Sequence, residues 1–225
     1  MKKLVLIVGS ALFAIPIYAQ NNSVNTTSRR INTEFISPEN RDKPERAEGS
    51  PYITEEFVPA KVNGSDKLFA IRYNGSKDLM EVKGDDDKTL LINKYKDYVI
   101  KLTDGSNKVY QTVSYENGTR GFALSVWIDE GKNGLFIRES VKYSPEKIAQ
   151  SSYDRDQPPK FSRQKDAFYM RIGEKGNLVQ LPSNKKKFYA AFGNKQKEIQ
   201  AFVKKEKLKI SKKEDLIKIM LFYFS

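Results

Sequence analysis

The chain has 225 residues, with 40 Lys and Arg against 28 Asp and Glu, no Cys, no His and a formal net charge of +12. The missing residue types exclude disulfides, Ser-His-Asp and Cys-His catalytic sites and ordinary zinc sites, because each of these needs Cys or His. Any catalysis would depend on carboxylates, Lys, Tyr or Ser, and the sequence predicts no catalytic residue, no cofactor and no metal site.

The first nineteen residues predict a secretory signal peptide. Lys2 and Lys3 give a basic start, an apolar run extends from Leu4 to Ile17, and Ala19 precedes a polar segment. This order is typical of a leader that is cleaved after Ala19. The apolar run is shorter than the roughly 20 residues that span a bilayer. We therefore expect an exported protein with no integral membrane span after leader removal.

Residues 20–48 predict a disordered polar tether. The segment is rich in Asn, Ser, Thr, Arg and Glu and has few large apolar side chains. It cannot bury enough surface to offset the entropy lost on ordering.

Residues 49–181 predict an antiparallel β-rich domain. Alternating apolar segments are separated by turn pairs such as Asn74-Gly75 and Asp104-Gly105, which are typical of hairpins. No helix-length segment lies between them, so a parallel βαβ sheet is disfavoured. The alternation indicates a sheet with one buried face. Strands are predicted around residues 69–73, 80–82, 98–102, 109–113, 122–128, 135–143, 167–172 and 178–181.

Residues 182–225 change to helical spacing and predict three short helices. Ser183 is the expected N-cap of the first helix and Asn194 of the second, while Ser211 and Glu214 form a capping box before the third. The third helix ends with apolar residues nearly all round, so it should pack on the sheet or on the other helices. The predicted fold class is α+β, an antiparallel β-hairpin sheet followed by a C-terminal cap of three short helices.

The same segment is strongly basic. From Ser183 to the end it carries twelve Lys against four acidic residues. In an exported protein the anionic partners would be lipid head groups, acidic polysaccharide or an acidic protein surface rather than nucleic acid. The run Lys185-Lys186-Lys187 beside Tyr189 fits a phosphate-binding patch with an aromatic platform. It equally fits a solvent-facing helix side whose lysine stems cover apolar neighbours.

Trp127 is the only tryptophan. Strand alternation puts it opposite Leu124 and Val126, where it would form an exposed platform for sugar or peptide, or a core residue if a helix covers that face. The candidate ligand-binding residues are Trp127, Lys185, Lys186, Lys187 and Tyr189.

Two acidic groups suggest other chemistry. Asp85–Asp87 is the densest cluster of carboxylates and could bind calcium, although it lacks the spacing of a known calcium loop and also fits a solvated turn. Asp129, Glu130 and Glu139 could supply the acid and base of a glycosidase, or could be ordinary turn residues.

Four segments carry a resemblance to a known family. They are Gly49–Phe57, Ile71–Asn74, Met80–Lys83 and Leu208–Lys218. Across roughly Gly49 to the C-terminus the chain resembles an uncharacterised family of exported proteins from Gram-negative bacteria. That family has no established activity, cofactor or catalytic residue, so the resemblance implies only export to the periplasm or cell surface.

The expected function is a non-enzymatic binding or interaction module of the cell envelope with a basic C-terminal helical surface. Its expected partner is an anionic envelope surface or another envelope protein. The alternatives are a carboxylate-dependent glycan hydrolase and a structural partner of an envelope complex.

Overall fold

The structure is a computed structural model that describes residues 47–84, 88–150 and 153–225, together with the backbone of the strand Phe35–Ile36. The predicted signal peptide, most of the predicted tether and the Asp85–Asp87 cluster lie outside the described residues. All described residues belong to the compact unit Glu34–Ser225.

Thirteen strands are found in the described part of the chain. They are β1 (Phe35–Ile36), β2 (Val58–Val62), β3 (Leu68–Asn74), β4 (Leu79–Lys83), β5 (Thr89–Ile92), β6 (Val99–Leu102), β7 (Val109–Ser114), β8 (Arg120–Ile128), β9 (Gly134–Arg138), β10 (Val141–Ser144), β11 (Lys160–Arg163), β12 (Ala167–Arg171) and β13 (Val179–Leu181).

An eleven-stranded sheet has the order β1-β5-β4-β3-β2-β6-β7-β8-β9-β12-β13, and β10 pairs with β11 in a second sheet. The pairings between these strands are antiparallel. The predicted α+β class, an antiparallel sheet followed by short C-terminal helices, is confirmed.

The hairpin turns follow the predicted turn pairs. Gly105 and Gly118 connect β6 to β7 and β7 to β8 with φ angles of 88° and 78°, a left-handed conformation that glycine adopts without steric cost. Strands β1, β2, β5 and β11 lie outside the predicted strand segments. Pro59 in β2 is a residue type that normally weakens a strand assignment. The predicted segment 135–143 is two strands: β9 stays in the large sheet, whereas β10 leaves it to pair with β11.

The large sheet curls so that its β3–β4 hairpin meets β8. Asp78, in the β3–β4 turn, accepts hydrogen bonds from the Phe122 backbone N–H at 3.0 Å and from the Tyr73 hydroxyl at 2.8 Å. A Cβ on Gly121 would overlap the Asp78 carboxylate, so this close approach requires glycine. Burial, followed by the charge of Asp78, raises the pKa of Tyr73 well above 10.0.

Both faces of the sheet are covered near β9. Leu135 packs with the C-terminal helices, whereas its neighbour Phe136 joins a cluster with Val113 and Tyr169. Since successive strand residues point to opposite faces, the expectation of one buried face is wrong here. The reason is that the helices cover one face of these strands, whereas on the other face side chains of β7, β9 and β12 pack on one another.

Three α-helices follow the last strand in the described chain. They are α1 (Lys185–Ala190), α2 (Gln196–Lys205) and α3 (Lys213–Phe224), with a 3₁₀ turn at Gly193–Lys195 before α2.

The helix caps differ from those predicted. Asn184, not Ser183, caps α1, because its side-chain oxygen accepts a hydrogen bond from the Lys187 N–H at 3.1 Å. Asn194 lies inside the 3₁₀ turn instead of capping α2.

The predicted capping box before α3 is also absent. The N-cap residue is Lys212, which makes no side-chain cap hydrogen bond. Instead, Asp215 in the first turn of α3 accepts a hydrogen bond from the Lys209 N–H at 2.8 Å. This bond ties the α2–α3 loop to the start of α3.

The helices pack against the sheet through an apolar cluster. Leu135, Met170 and Leu181 of the sheet contact buried helical residues. The helical members are Phe188, Phe192, Ile199, Val203, Leu216, Ile219 and Met220. None of the helices in the described ranges combines the length and the apolar character needed to cross a membrane.

Candidate anion-binding groove

A groove lies between α1, α2 and the loop 206–212 that leads to α3. Its volume is about 710 Å³, within the usual range of ligand pockets, about 300–1,000 Å³. Its position follows from the packing of α1 beside α2, which brings two lysine-rich segments of the chain together.

Five lysines from three segments line this groove. Lys185 and Lys186 come from α1, Lys204 from α2, and Lys207 and Lys209 from the following loop. The lining contains no Asp or Glu. Within the described ranges, no carboxylate forms an ion pair with any of the five. The groove therefore presents an excess of positive charge.

The loop wall is set by a Schellman motif at the end of α2. The Leu208 N–H donates to the Val203 carbonyl at 3.0 Å, and the Lys207 N–H donates to the Lys204 carbonyl at 3.3 Å. Lys207 occupies the left-handed position of this motif with φ of 52°, where glycine is the usual residue. A lysine here costs some stability but places a further cation at the groove.

The remaining lining is apolar, aromatic or neutral polar. Val203, Leu208 and Ile210 supply the apolar part of the surface, and Tyr189 is half-buried beside them. The Tyr189 ring meets Phe188 edge-on at 5.6 Å, so it is held by a core residue. An aromatic ring among cations can stack on the flat face of a sugar.

Three of the five sequence-predicted residues meet in this groove. Lys185, Lys186 and Tyr189 line it, whereas Lys187 is exposed on α1 outside the lining. Trp127 is also outside it. The lysines of residues 204–209 belong to the basic segment that the composition reveals. Their position beside α1 depends on helix packing, which the sequence pattern does not specify.

A β-bulge explains the position of Trp127. The register of β8 against β9 shifts between Ser125, which pairs with Phe136, and Trp127, which pairs with Leu135. The extra residue turns Trp127 to the face of Leu135, opposite to the face that simple alternation predicts. There it is half-buried and stacks on Phe224 of α3 at 6.1 Å.

Glu139 is a buried carboxylate with three donors. Its Oε1 lies 3.0 Å from Lys108 Nζ and 3.2 Å from Arg163 Nη2, and its Oε2 accepts a short hydrogen bond from the Tyr110 hydroxyl. Burial, followed by the charge of Glu139, raises the pKa of Tyr110. This arrangement satisfies a buried charge and joins β7, β9 and β11.

Asp129 does not meet Glu139. Its carboxylate accepts hydrogen bonds from the Asn133 N–H and side-chain amide, both at 2.8 Å, within the β8–β9 turn. Glu139 follows the other end of β9, about 20 Å away at the usual rise per strand residue. Glycosidase carboxylates lie roughly 5–9.5 Å apart, so these two residues do not form such a pair.

Where the structure describes the chain, no three carboxylates come close enough together to hold a metal ion. Asp85–Asp87, the calcium candidate, lies outside that part of the chain.

Comparison with protein-family models, with curated proteins and with solved structures gives no match for this chain. A function must therefore be inferred from the residues of the groove.

Proposed function

We propose that this chain is an exported, non-enzymatic binding module of the cell envelope that holds an acidic polysaccharide in the lysine groove. The observation that carries the proposal is the convergence of five unpaired lysines on one groove that contains no carboxylate in its lining. An anionic ligand would replace the missing counter-charges.

The form of the groove favours a chain of anionic sugars over a flat bilayer. Its lining curves inward, and its lysines come from both walls. A flat surface of lipid head groups reaches such a concave site poorly, whereas one extended polymer can contact both walls. Tyr189 adds a ring on which a sugar can stack. The exposed lysines predict binding that weakens as salt increases.

Export and the cellular location rest on the sequence. The predicted leader at residues 1–19 and the resemblance to exported Gram-negative proteins support a periplasmic or cell-surface location. In that location acidic polysaccharides are abundant anionic polymers, and nucleic acid is not the expected ligand.

Binding of polygalacturonate, a polymer of acidic sugars, tests the proposal directly. We expect saturable binding that falls with rising salt, and no binding of neutral dextran. Vesicles with anionic head groups are the competing probe. Tighter binding to vesicles than to polygalacturonate would contradict the choice of polysaccharide.

Neighbouring lysines of α1 provide a matched pair of variants. Lys186→Gln should weaken polygalacturonate binding about fivefold, since one lysine near an anionic surface contributes about 1 kcal/mol. Lys187→Gln changes the net charge equally but lies outside the groove lining, so we expect less than about a twofold effect. Equal losses in the two variants would show that only the net charge matters.

Incubation of the protein with polygalacturonate also tests the two alternative functions, a glycan hydrolase and a structural partner of an envelope complex. New reducing ends in polygalacturonate would favour the glycan hydrolase. Failure to bind either polymer or vesicles, with recovery of one stoichiometric protein partner from envelope fractions, would favour a structural role.

A further inference from the structure

A second cavity lies on the sheet, away from the lysine groove. Its volume is about 470 Å³, and its walls come from β6, β7, the end of β8 and the β12–β13 turn. It shares no lining residue with the groove. Arg171, the last residue of β12, lies in its wall.

Arg171 is a buried cation with weak partners. Only 8% of the residue is exposed. Its guanidinium contacts the Gln111 side-chain oxygen and the Lys132 carbonyl, both at 3.4 Å, the long end of the hydrogen-bond range. Among the residues that the structure describes, no carboxylate lies within 4.0 Å of it. A guanidinium has five N–H donors, and the protein supplies acceptors for two of them, on Nε and Nη1.

The fold holds this cation on an aromatic platform. The guanidinium lies 4.7 Å from the centre of the Phe136 ring. Arg171 pairs across the strands with Gly134, and a Cβ at Gly134 would come within 2.6 Å of the Phe136 ring. Glycine therefore leaves room for the ring that supports Arg171. A cation over a ring gains some attraction, but less than a charge partner supplies.

The surroundings of Arg171 favour an anion with an apolar body. Lys132 and Lys175 also line the cavity, and the carboxylates in the lining are Asp97, which pairs with Arg120, and the exposed Glu174. Burial lowers the pKa of Arg171, and Glu174 opposes this effect.

Apolar surface adjoins these charges. Val99 and Ile128 line the cavity, and Val99 is 45% exposed.

We infer that this cavity binds a small organic anion, a carboxylate or phosphate carried on an apolar body, with Arg171 as the residue that binds the anionic group. The planar guanidinium would form paired hydrogen bonds to such a group. The site is independent of the lysine groove and of the function proposed for it.

Three probes distinguish the contribution of the anionic group from that of the apolar body. They are benzoate, phosphate and benzyl alcohol. Titrations of the purified protein, followed by amide chemical shifts, should show saturable changes around Gln111, Lys132 and Arg171 with benzoate. Phosphate should bind more weakly because it has no apolar body, and benzyl alcohol should not bind because it has no charge. Benzyl alcohol binding as tightly as benzoate, or no saturable change with either anion, would overturn the proposal.

Three variants test the role of Arg171. Arg171→Met should weaken benzoate binding about tenfold or more, and Arg171→Lys should weaken it because the planar fork is lost. Arg155→Met, an exposed position outside the cavity, should bind as the wild type does.

A stability measurement distinguishes a binding role from a structural one. Since removal of a buried cation without an ion-pair partner relieves its desolvation, anion-free Arg171→Met should melt at or above the wild-type temperature, and benzoate should no longer raise its melting temperature. If Arg171→Met fails to fold, Arg171→Lys takes its place in the binding comparison. A folded variant that binds benzoate as tightly as the wild type would overturn the assignment.

Discussion

Charged side chains serve different purposes in the sheet and in the C-terminal helices. In the sheet, Glu139 is buried and meets two cations and a tyrosine hydroxyl, and Asp78 meets a hydroxyl and a backbone N–H. Around the helical groove, Lys186 and its neighbours are exposed and lack a carboxylate partner within the described residues.

This difference separates charges that hold the fold from charges that are free to bind. A buried charge carries a desolvation cost, which Glu139 and Asp78 offset through their partners and which Arg171 offsets only through two long contacts. An exposed lysine remains hydrated and needs no partner, so its removal costs little stability. Changes at Glu139 and Asp78 should therefore affect stability, and changes in the groove should affect binding.

The largest expected effect is a loss of folding stability in the sheet as the pH rises above 10. Burial is the main cause that raises the pKa of Tyr73, Tyr110 and Tyr115 above 10.0. Because the folded state holds these protons more tightly, their stabilising contribution is complete below pH 10 and declines as the pH rises above it. With three tyrosines the slope should reach about 4 kcal/mol per pH unit.

Urea unfolding between pH 8 and pH 12 measures this slope. Tyr110→Phe removes one of the three protons, so its slope above pH 10 should be smaller by about 1.4 kcal/mol per unit. A free energy of unfolding that stays constant above pH 10 would show that these tyrosines do not titrate differently in the folded and unfolded states.

Removal of the Glu139 carboxylate should have the next largest effect. Glu139→Ala leaves the Tyr110 hydroxyl and two cations without their shared acceptor, and we expect a loss of about 3 kcal/mol in the free energy of unfolding. Glu116 is exposed, so Glu116→Ala should change stability by less than about 0.5 kcal/mol. Equal effects of the two substitutions would contradict a structural role for the buried carboxylate. Polygalacturonate affinity should be unchanged in both variants.

Substitution of Lys207 by glycine should have a smaller effect on stability. It should raise stability and weaken binding. Lys207 has φ of 52°, which glycine tolerates better, so Lys207→Gly should raise the free energy of unfolding by about 1 kcal/mol. It should also weaken polygalacturonate binding about fivefold, because a groove lysine is lost.

Lys205 provides the control for this substitution. It lies in the last turn of α2 outside the groove lining, so Lys205→Gly should lower stability by about 1 kcal/mol and leave binding nearly unchanged. Binding of polygalacturonate by Lys207→Gly as tightly as by the wild type would contradict a binding role for Lys207 in the groove.

Much of the fold could be predicted from local patterns. Turn pairs such as Asp104-Gly105 favour hairpins because their backbone suits a tight turn, and the change to helical spacing near residue 182 is a property of consecutive residues. The fold class and most strands of the hairpins follow from these patterns, and the basic character of the last 43 residues follows from composition alone.

Tertiary structure decided the features that depend on residues far apart in the chain. The bulge that turns Trp127 toward α3 requires the register of β8 against β9. Glu139 meets Lys108 and Arg163 only because β7, β9 and β11 come together. Likewise, Lys185 and Lys209 are 24 positions apart and line one groove only after α1 has packed beside α2. Local patterns specify which backbone conformation each segment prefers. The free energy that brings distant segments together comes from burial of the apolar core that they share. The sequence of one segment does not specify which distant segments complete that core.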